Sequence, residues 1–311
     1  MRVCRPRGLW LVFCGIVVLS GCAGMQKSAP PLAFVAGGQG HYGIGRILDL
    51  DAGTSVSFDA LTDRIGAKDL VFVGEVHDNP EHHLIEVQIL QRLLACCRPL
   101  AIAMEFFEQE KQEILDRYVG GEIDEEEFLK AVDWADSWGF DYSLYRPLLL
   151  LARQNRCRVL AINAPRRVVR EVARKGLAGL DESDRKKIAR DIDLSNKPHR
   201  AYLLDIYKEH SHGNLQSFEY FYEAQCVWED TMARNIAEYM RNKKGKVIVF
   251  SGNGHIRYKY GIPDRVEKRL PVSMVTVMPY VLEGHEVLPN GIADYVWLTA
   301  GYPHRMMMSR N

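Results

Sequence analysis

The chain lacks a surplus of charge: its 40 basic side chains face 40 acidic ones. A nucleic-acid partner calls for a concentrated positive footprint to neutralise phosphates, so this balance argues against that class. No C-x-x-C pair occurs, which removes zinc-ribbon and thioredoxin-type sites. No serine sits in a G-x-S-x-G turn and no H-E-x-x-H is present, so two common hydrolase signatures are missing. Long apolar runs are absent too. The run at residues 8–19 (GLWLVFCGIVVL) has twelve residues, too few to cross ~30 Å of hydrocarbon at ~1.5 Å per helical residue.

That short run has another reading. Three arginines and no acid precede it, and Leu19-Ser20-Gly21-Cys22 follows. The order of charge, apolar core, small residues and cysteine is that of an export signal, and the last four residues resemble the bacterial lipobox. The expectation is a signal peptide over residues 1–21, acylation of Cys22, and a flexible tether over residues 22–45, poor in hydrophobic period and rich in Gly and Pro. Two or more acyl chains would hold the protein durably on a membrane. Ala23, in place of Asp, points by convention to the outer membrane of the cell envelope. Removing the three leader arginines leaves 37 basic against 40 acidic side chains, so nucleic acid stays excluded. Of seven cysteines, Cys96, Cys97, Cys157 and Cys226 would remain unmodified. Cys97 and Cys157 each precede a predicted strand, which leaves both a disulfide and buried thiols open.

Residues 46–311 read as a single α/β domain. Short apolar segments at 69–75, 100–105, 158–163, 246–251 and 272–277 alternate with helical periodicity. The pattern predicts a mostly parallel sheet covered by helices on both faces, with large helical inserts after the second and third of these strands. Asn79-Pro80 supplies an N-cap and an N1 proline for the next helix, whose apolar face is read as Leu84, Val87, Leu90, Leu93 and Leu94. Asp124 caps a later helix, and residues 181–241 look helical throughout. Gly38-x-Gly40-x-x-Gly43 matches the dinucleotide pattern but has no strand before it and no helix after it, so it is rejected.

The strands share one feature: each ends in polar residues. The first ends at Glu75 and runs into His77, Asp78 and Asn79; the second ends at Glu105, the third at Asn163. The fourth runs through Ser251 into Gly252-Asn253-Gly254-His255. In a parallel sheet these ends share one edge, where ligands bind. Glu75, His77, Glu105 and His255 would suit a divalent metal ion, with Asp78, Asn79, Asn163 and Asn253 in support. A metal there would activate water, and one Glu would act as base. Equally, Glu and His would bond each other as a structural network. One of His82 and His83 would point into the site and the other lie on the surface. His210-x-His212 reads as a helix-end pair. Aromatics crowd three places, residues 134–145 (Trp134, Trp138, Phe140, Tyr142, Tyr145), Tyr258 and Tyr260, and the late long helix (Phe218, Tyr220, Phe221, Tyr222, Trp228); a groove so lined would suit haem, for which Tyr, His and Met are axial ligands.

Taken together, 74–83 (GEVHDNPEHH), Ala103-Met104-Glu105, Asn163-Ala164-Pro165, Asp230-Thr231-Met232-Ala233, Gly252-Asn253-Gly254-His255 and Gly261-Ile262-Pro263 resemble the ChaN-like haem-binding lipoproteins. That family is grouped with Tiki proteases and erythromycin esterases. The resemblance spans roughly residues 57–280. It implies an iron-uptake lipoprotein that binds haem between two protomers through tyrosine, with an outer-membrane haem receptor as a further partner. The candidate haem ligands are Tyr258, Tyr142 and His83. It also implies an alternative, metal-dependent hydrolysis of protease or esterase type, because Glu75, His77, Glu105 and His255 match the superfamily's Glu/His positions.

Overall fold

Apolar segments of five to nine residues are too short to bury themselves as helices, and here they become neighbouring strands. The computed structural model describes residues 30–38, 40–210, 217–242 and 245–301. The strands are β1 (Leu32–Val35), β2 (His41–Tyr42), β3 (Ile47–Asp49), β4 (Thr54–Val56), β5 (Leu70–Glu75), β6 (Leu100–Glu108), β7 (Val159–Asn163), β8 (Lys246–Gly252), β9 (Met274–Leu282), β10 (His285–Leu288) and β11 (Tyr295–Ala300). Among the described residues they form an eight-stranded sheet of order β4-β3-β11-β9-β5-β8-β6-β7 and a small sheet of order β10-β1-β2. From β11 to β7 all pairings are parallel; β3 runs antiparallel to β11 and β4. The expected α/β class, mostly parallel and covered on both faces, is what the chain adopts.

Alternate side chains of the central strands feed two separate cores. Val71, Val73, Ile102, Met104, Ile248 and Phe250 pack with Ile89, Leu115 and Leu148 from the helices Pro80–Cys96, Gln112–Gly120 and Tyr142–Gln154. Leu70, Phe72, Ala101, Ala103, Val247 and Val249 pack instead with Met232, Ile236 and Val266 from the helices Phe218–Asn242 and Ile262–Arg269. Helices that follow β5 and β6 therefore lie on one face, and those that flank β8 on the other. The chain reverses its direction across the sheet after β7 and returns to insert β8 between β5 and β6. Such a reversal parts the loops at the carboxyl edge and opens a crevice there.

Local expectations held where capping chemistry was explicit. Glu81 N donates to Asn79 Oδ1 (2.9 Å) with Pro80 at the first turn, and Glu127 N donates to Asp124 Oδ1 (2.9 Å). Leu84 departs from its expected place and is exposed; Ile85, Ile89, Leu90, Leu93 and Leu94 form the buried stripe. The stretch 181–241 is not continuous helix. Between the helices Glu182–Arg185 and Lys197–His210, Asp193 draws in the Ser195 N–H and hydroxyl, and Asn196 Oδ1 accepts from His199 N as the new cap. Such side-chain competition for the backbone ends helices.

The expected tether also ends earlier. The compact unit begins at Pro31, and β1 buries Ala33 and Val35 against Leu288 and Leu298. Four residues of alternation are too few to reveal a strand in sequence. The leader and Cys22 lie outside the described residues, and the His210-x-His212 pair runs outside them. Cys96, Cys97, Cys157 and Cys226 are free thiols. Phe72 is fully enclosed on a central strand, so Phe72→Ala is expected to cost about 3–5 kcal/mol, whereas Val287→Ala on the exposed edge should stay within about 0.5 kcal/mol; urea unfolding of both variants checks this.

Candidate functional site

Glu75 is the last residue of β5 and is buried. The chain then turns sharply, and Asn79 N donates back to Val76 O at 2.9 Å. His82 clamps this turn. Its Nδ1 accepts from Val76 N (2.9 Å), so Nε2 carries the proton and faces Thr299 Oγ1 on β11 at 3.0 Å. Burial, aided by the neighbouring His83, lowers the His82 imidazole to about 4. A surface position was expected for one of the two histidines. Both are buried, because the turn presses them inward to satisfy its backbone.

Around Glu75 the groups are close and dry. Oε1 lies 2.6 Å from His77 Nδ1 and 3.2 Å from the Tyr145 hydroxyl, which is also 3.1 Å from the His77 carbonyl. Burial, then the charge of Glu86, pushes the Glu75 carboxyl up to about 8 despite its histidine neighbours. Burial raises the Tyr145 phenol as well, with Glu75 adding to it. His77 stands at the mouth, its ring 4.9 Å from both Trp138 and Phe140. Burial alone would lower its basicity; the bond to Glu75 and the charge of Glu105 outweigh that and raise it.

On the other side of β8, Glu105 occupies a register irregularity in β6, between the pairs Met104↔Ala161 and Glu108↔Asn163. A bulge re-aims a side chain, and Asn163 Nδ2 pins this one by donating to Glu105 O at 2.8 Å. Gly252 N donates to Glu105 Oε2 (2.7 Å), and His255 Nε2 lies 3.3 Å from Oε1. A Cβ at Gly252 would meet His77 Cε1 at 3.0 Å, so the bare backbone there is what lets the His77 ring lie over β8. The network continues inward. His255 Nδ1 is 3.3 Å from Glu229 Oε1, while His199 Nε2 and an Arg265 nitrogen each lie 3.5 Å from Glu229 Oε2. Burial opposes ionisation of Glu105, but the His255 charge and its hydrogen bond outweigh it and hold the carboxylate at about 2. Burial likewise opposes the charge on His255, yet Glu105 and Glu229 raise it to about 10.

The four residues expected as a metal set therefore share one edge but do not converge as ligands. His77 turns its Nδ1 to Glu75, and His255 has a carboxylate on each ring nitrogen. Among the described residues the donor atoms that do converge belong to Glu75, His83 and Glu86. His83, expected among the haem ligands, is enclosed: Nε2 faces the His77 carbonyl at 3.0 Å and Nδ1 faces Glu86 Oε2 at 3.0 Å. Tyr142 donates to Glu125 (3.4 Å) and packs on Trp134, which separates it from Tyr145. Asn253 Nδ2 donates to Pro279 O (2.8 Å), and Asp78 is half-buried in the turn. Glu86, His199, Glu229 and Arg265 were not foreseen, and Tyr145 was expected only as part of an aromatic groove; of the four, Glu229 alone adjoined a recognised motif, Asp230-Thr231-Met232-Ala233.

Tyr258 packs against a separate apolar cluster that includes Leu288 and Leu298. It and Lys259 both hold left-handed backbone (φ 56° and 59°), which costs about 1–3 kcal/mol per non-glycine residue. Tyr258 N donates to Ile292 O (2.8 Å) and Lys259 Nζ reaches Asp294 Oδ1 (2.6 Å), which keeps the turn in place. The Tyr258 ring stacks on Tyr260 (5.2 Å), meets Tyr202 edge-on (5.8 Å) and lies under the Arg257 guanidinium (5.8 Å). Arg257 Nε is buried and has no hydrogen-bond acceptor.

Comparison with known proteins agrees with this architecture. The model of a family described as haem-binding uptake, Tiki superfamily, ChaN matches residues 61–266. The protein RETICULATA-RELATED 5, chloroplastic, of Arabidopsis thaliana is 26% identical over 264 residues, covering 75% of this chain and 34% of its own length. The chain thus spans about a third of that relative. Among solved structures, ChaN of Campylobacter jejuni, described by its cofacial heme binding, has a TM-score of 0.66 at 19% identity, over 81% of this chain and 95% of its own. That likeness concerns the fold. An erythromycin esterase mutant in its open conformation has a TM-score of 0.46 at 12% identity, over 71% and 72% of the two chains.

The Glu105–His255 pair makes stability depend on pH in two directions. Glu105, depressed to about 2 from an ordinary 4.5, adds stability that is complete above about 4.5 and lost as pH falls toward 2. His255, raised to about 10 from 6.5, adds stability that is complete below about 6.5 and lost as pH rises toward 10. The melting-temperature gap between wild type and His255→Gln should be widest between about pH 4.5 and 6.5 and narrow on both sides. A gap independent of pH would show that the pair is not coupled.

Proposed function

Because the chain belongs to the ChaN family of haem-binding uptake proteins in the Tiki superfamily, we propose that it binds haem as a lipid-anchored protein of the cell envelope, with Tyr258 as the iron ligand. The observation that carries the residue assignment is the cluster of Tyr258, Tyr260 and Tyr202 around Arg257, whose Nε is buried without an acceptor. Stacked aromatic faces fit a flat macrocycle, a phenol fits ferric iron as an oxyanion ligand, and a guanidinium fits a propionate carboxylate. Haem, when bound, supplies the iron and the macrocycle; the chain supplies the ligand, the cation and the apolar walls. Burial raises Tyr202 and, with Glu286 adding to it, brings Tyr280 to about 12, while Arg257 draws both down.

The finer parts of the proposal are acylation of Cys22, anchorage in the outer membrane, a homodimer that shares the haem pocket, and transfer to or from an outer-membrane receptor. The family's uptake role and the lipobox-like Leu19-Ser20-Gly21-Cys22 support them. Hydrolysis on a metal held by Glu75, His77, Glu105 and His255 has less support, since both His255 ring nitrogens already face carboxylates.

A form beginning at Ala23 should show a saturable Soret shift on haem titration, with a tyrosinate-type ferric spectrum. Tyr258→Phe should lose that spectrum and weaken binding about tenfold or more, roughly 1.4 kcal/mol. Absence of any saturable shift in the wild type would sink the haem reading; an unchanged Tyr258→Phe spectrum would move the ligand elsewhere. In cells, Cys22→Ser should shift the protein from the membrane fraction to the soluble envelope fraction, and labelled palmitate should reach only the wild type.

A further inference from the structure

We propose that Glu75, His83 and Glu86 form a buried binding site for one divalent transition-metal ion, separate from the haem-binding cluster. Glu75 ends β5, and His83 and Glu86 stand three residues apart on one face of the following helix, all three buried. Each offers an oxygen or nitrogen within 4.8 Å of the other two. His83 Nδ1 lies 3.3 Å from Glu75 Oε2 and 3.0 Å from Glu86 Oε2.

The tautomer of His83 carries the argument. Its Nε2 faces the His77 carbonyl at 3.0 Å. A carbonyl only accepts, so Nε2 holds the proton, and Nδ1 of the neutral ring is a lone pair. That lone pair is aimed at two carboxylates, which are also acceptors. Glu75 Oε2 and Glu86 Oε1 are buried and form no well-aligned hydrogen bond. Three inward-facing electron-pair donors in a dry pocket need shared protons or positive charge between them. A divalent cation supplies it and balances the two carboxylates.

Two further features fit a metal. A ring held by its far N–H on a backbone carbonyl is the arrangement that orients metal-binding histidines. Ligand atoms about 2.0–2.2 Å from a zinc-like ion lie roughly 3.0–3.5 Å from one another, which matches the His83 distances above. With two oxygens, one imidazole and no thiolate, the donor set favours ions such as Zn²⁺ or Mn²⁺ over Cu⁺. The site touches the rim through shared atoms, since Glu75 also holds His77 and the His77 carbonyl holds His83. An ion here would brace the 76–79 turn from behind.

The test is Zn²⁺ binding to the detergent-solubilised full chain after chelator stripping, read by elemental analysis, equilibrium dialysis and X-ray absorption. One Zn²⁺ per chain in a shell of oxygens and a single imidazole is expected, with Glu86→Gln weakening it about tenfold or more. Failure to take up stoichiometric Zn²⁺ would mean that protons alone fill the pocket, and would overturn the proposal. So would a shell with sulfur or two imidazoles, or full affinity in a folded Glu86→Gln variant. If that variant does not fold, the wild-type absorption spectrum decides. Haem titration of the metal-free chain is a separate reading, so either proposal can fail alone.

Discussion

A single backbone N–H, that of Gly252, ties the rim together. It donates to the Glu105 carboxylate at 2.7 Å while its own residue pairs with Glu75 in the adjoining strand. A buried carboxylate is costly unless it is bonded and paired, and Glu105 meets both conditions through Gly252 and His255. The absence of a side chain at 252 also admits the His77 ring. Glu75, His77, Glu105 and His255 thus reach one edge because β8 was inserted between two strands that precede it in the chain.

From this edge the charges extend in opposite directions. Toward the helix Phe218–Asn242, Glu105, His255, Glu229 and Arg265 alternate in sign, and each stabilises the next. Toward the helix Pro80–Cys96, His83 stands between two buried acids, Glu75 and Glu86. Buried networks are stable when every member is satisfied and unstable when one is not. The first arm sets charge against charge from within the chain, whereas the second gathers two acids around one imidazole.

The fold was legible in the sequence where physics is local. Apolar runs with polar ends, the Asn79 and Asp124 caps, and the Asn79-Pro80 signature all give direct readings. The placement of Glu75, Glu105, Asn163 and His255 at one edge followed from strand ends alone. Three kinds of feature were hidden. Strands of three to six residues, such as β1, β4 and β11, carry too little alternation to stand out. Glu86, His199 and Glu229 sit within or beside helices, where an acid or histidine ordinarily faces solvent, and only tertiary packing turns them inward. His82 and His83 were ambiguous because adjacent helical residues point about 100° apart, and the turn before them captures both.

The pairing of β1 with β10 bears on mechanics. Leu32 N donates to Gly284 O and Ala36 N to Leu288 O, so β1 is laid alongside a strand from late in the chain. Tension reaching residue 31 along the strand direction would load these bonds together, in shear, instead of peeling them one at a time. A tug at the leading end of the domain would meet the small sheet first, and the cores around β5, β6 and β8 would be spared until that seam gave way.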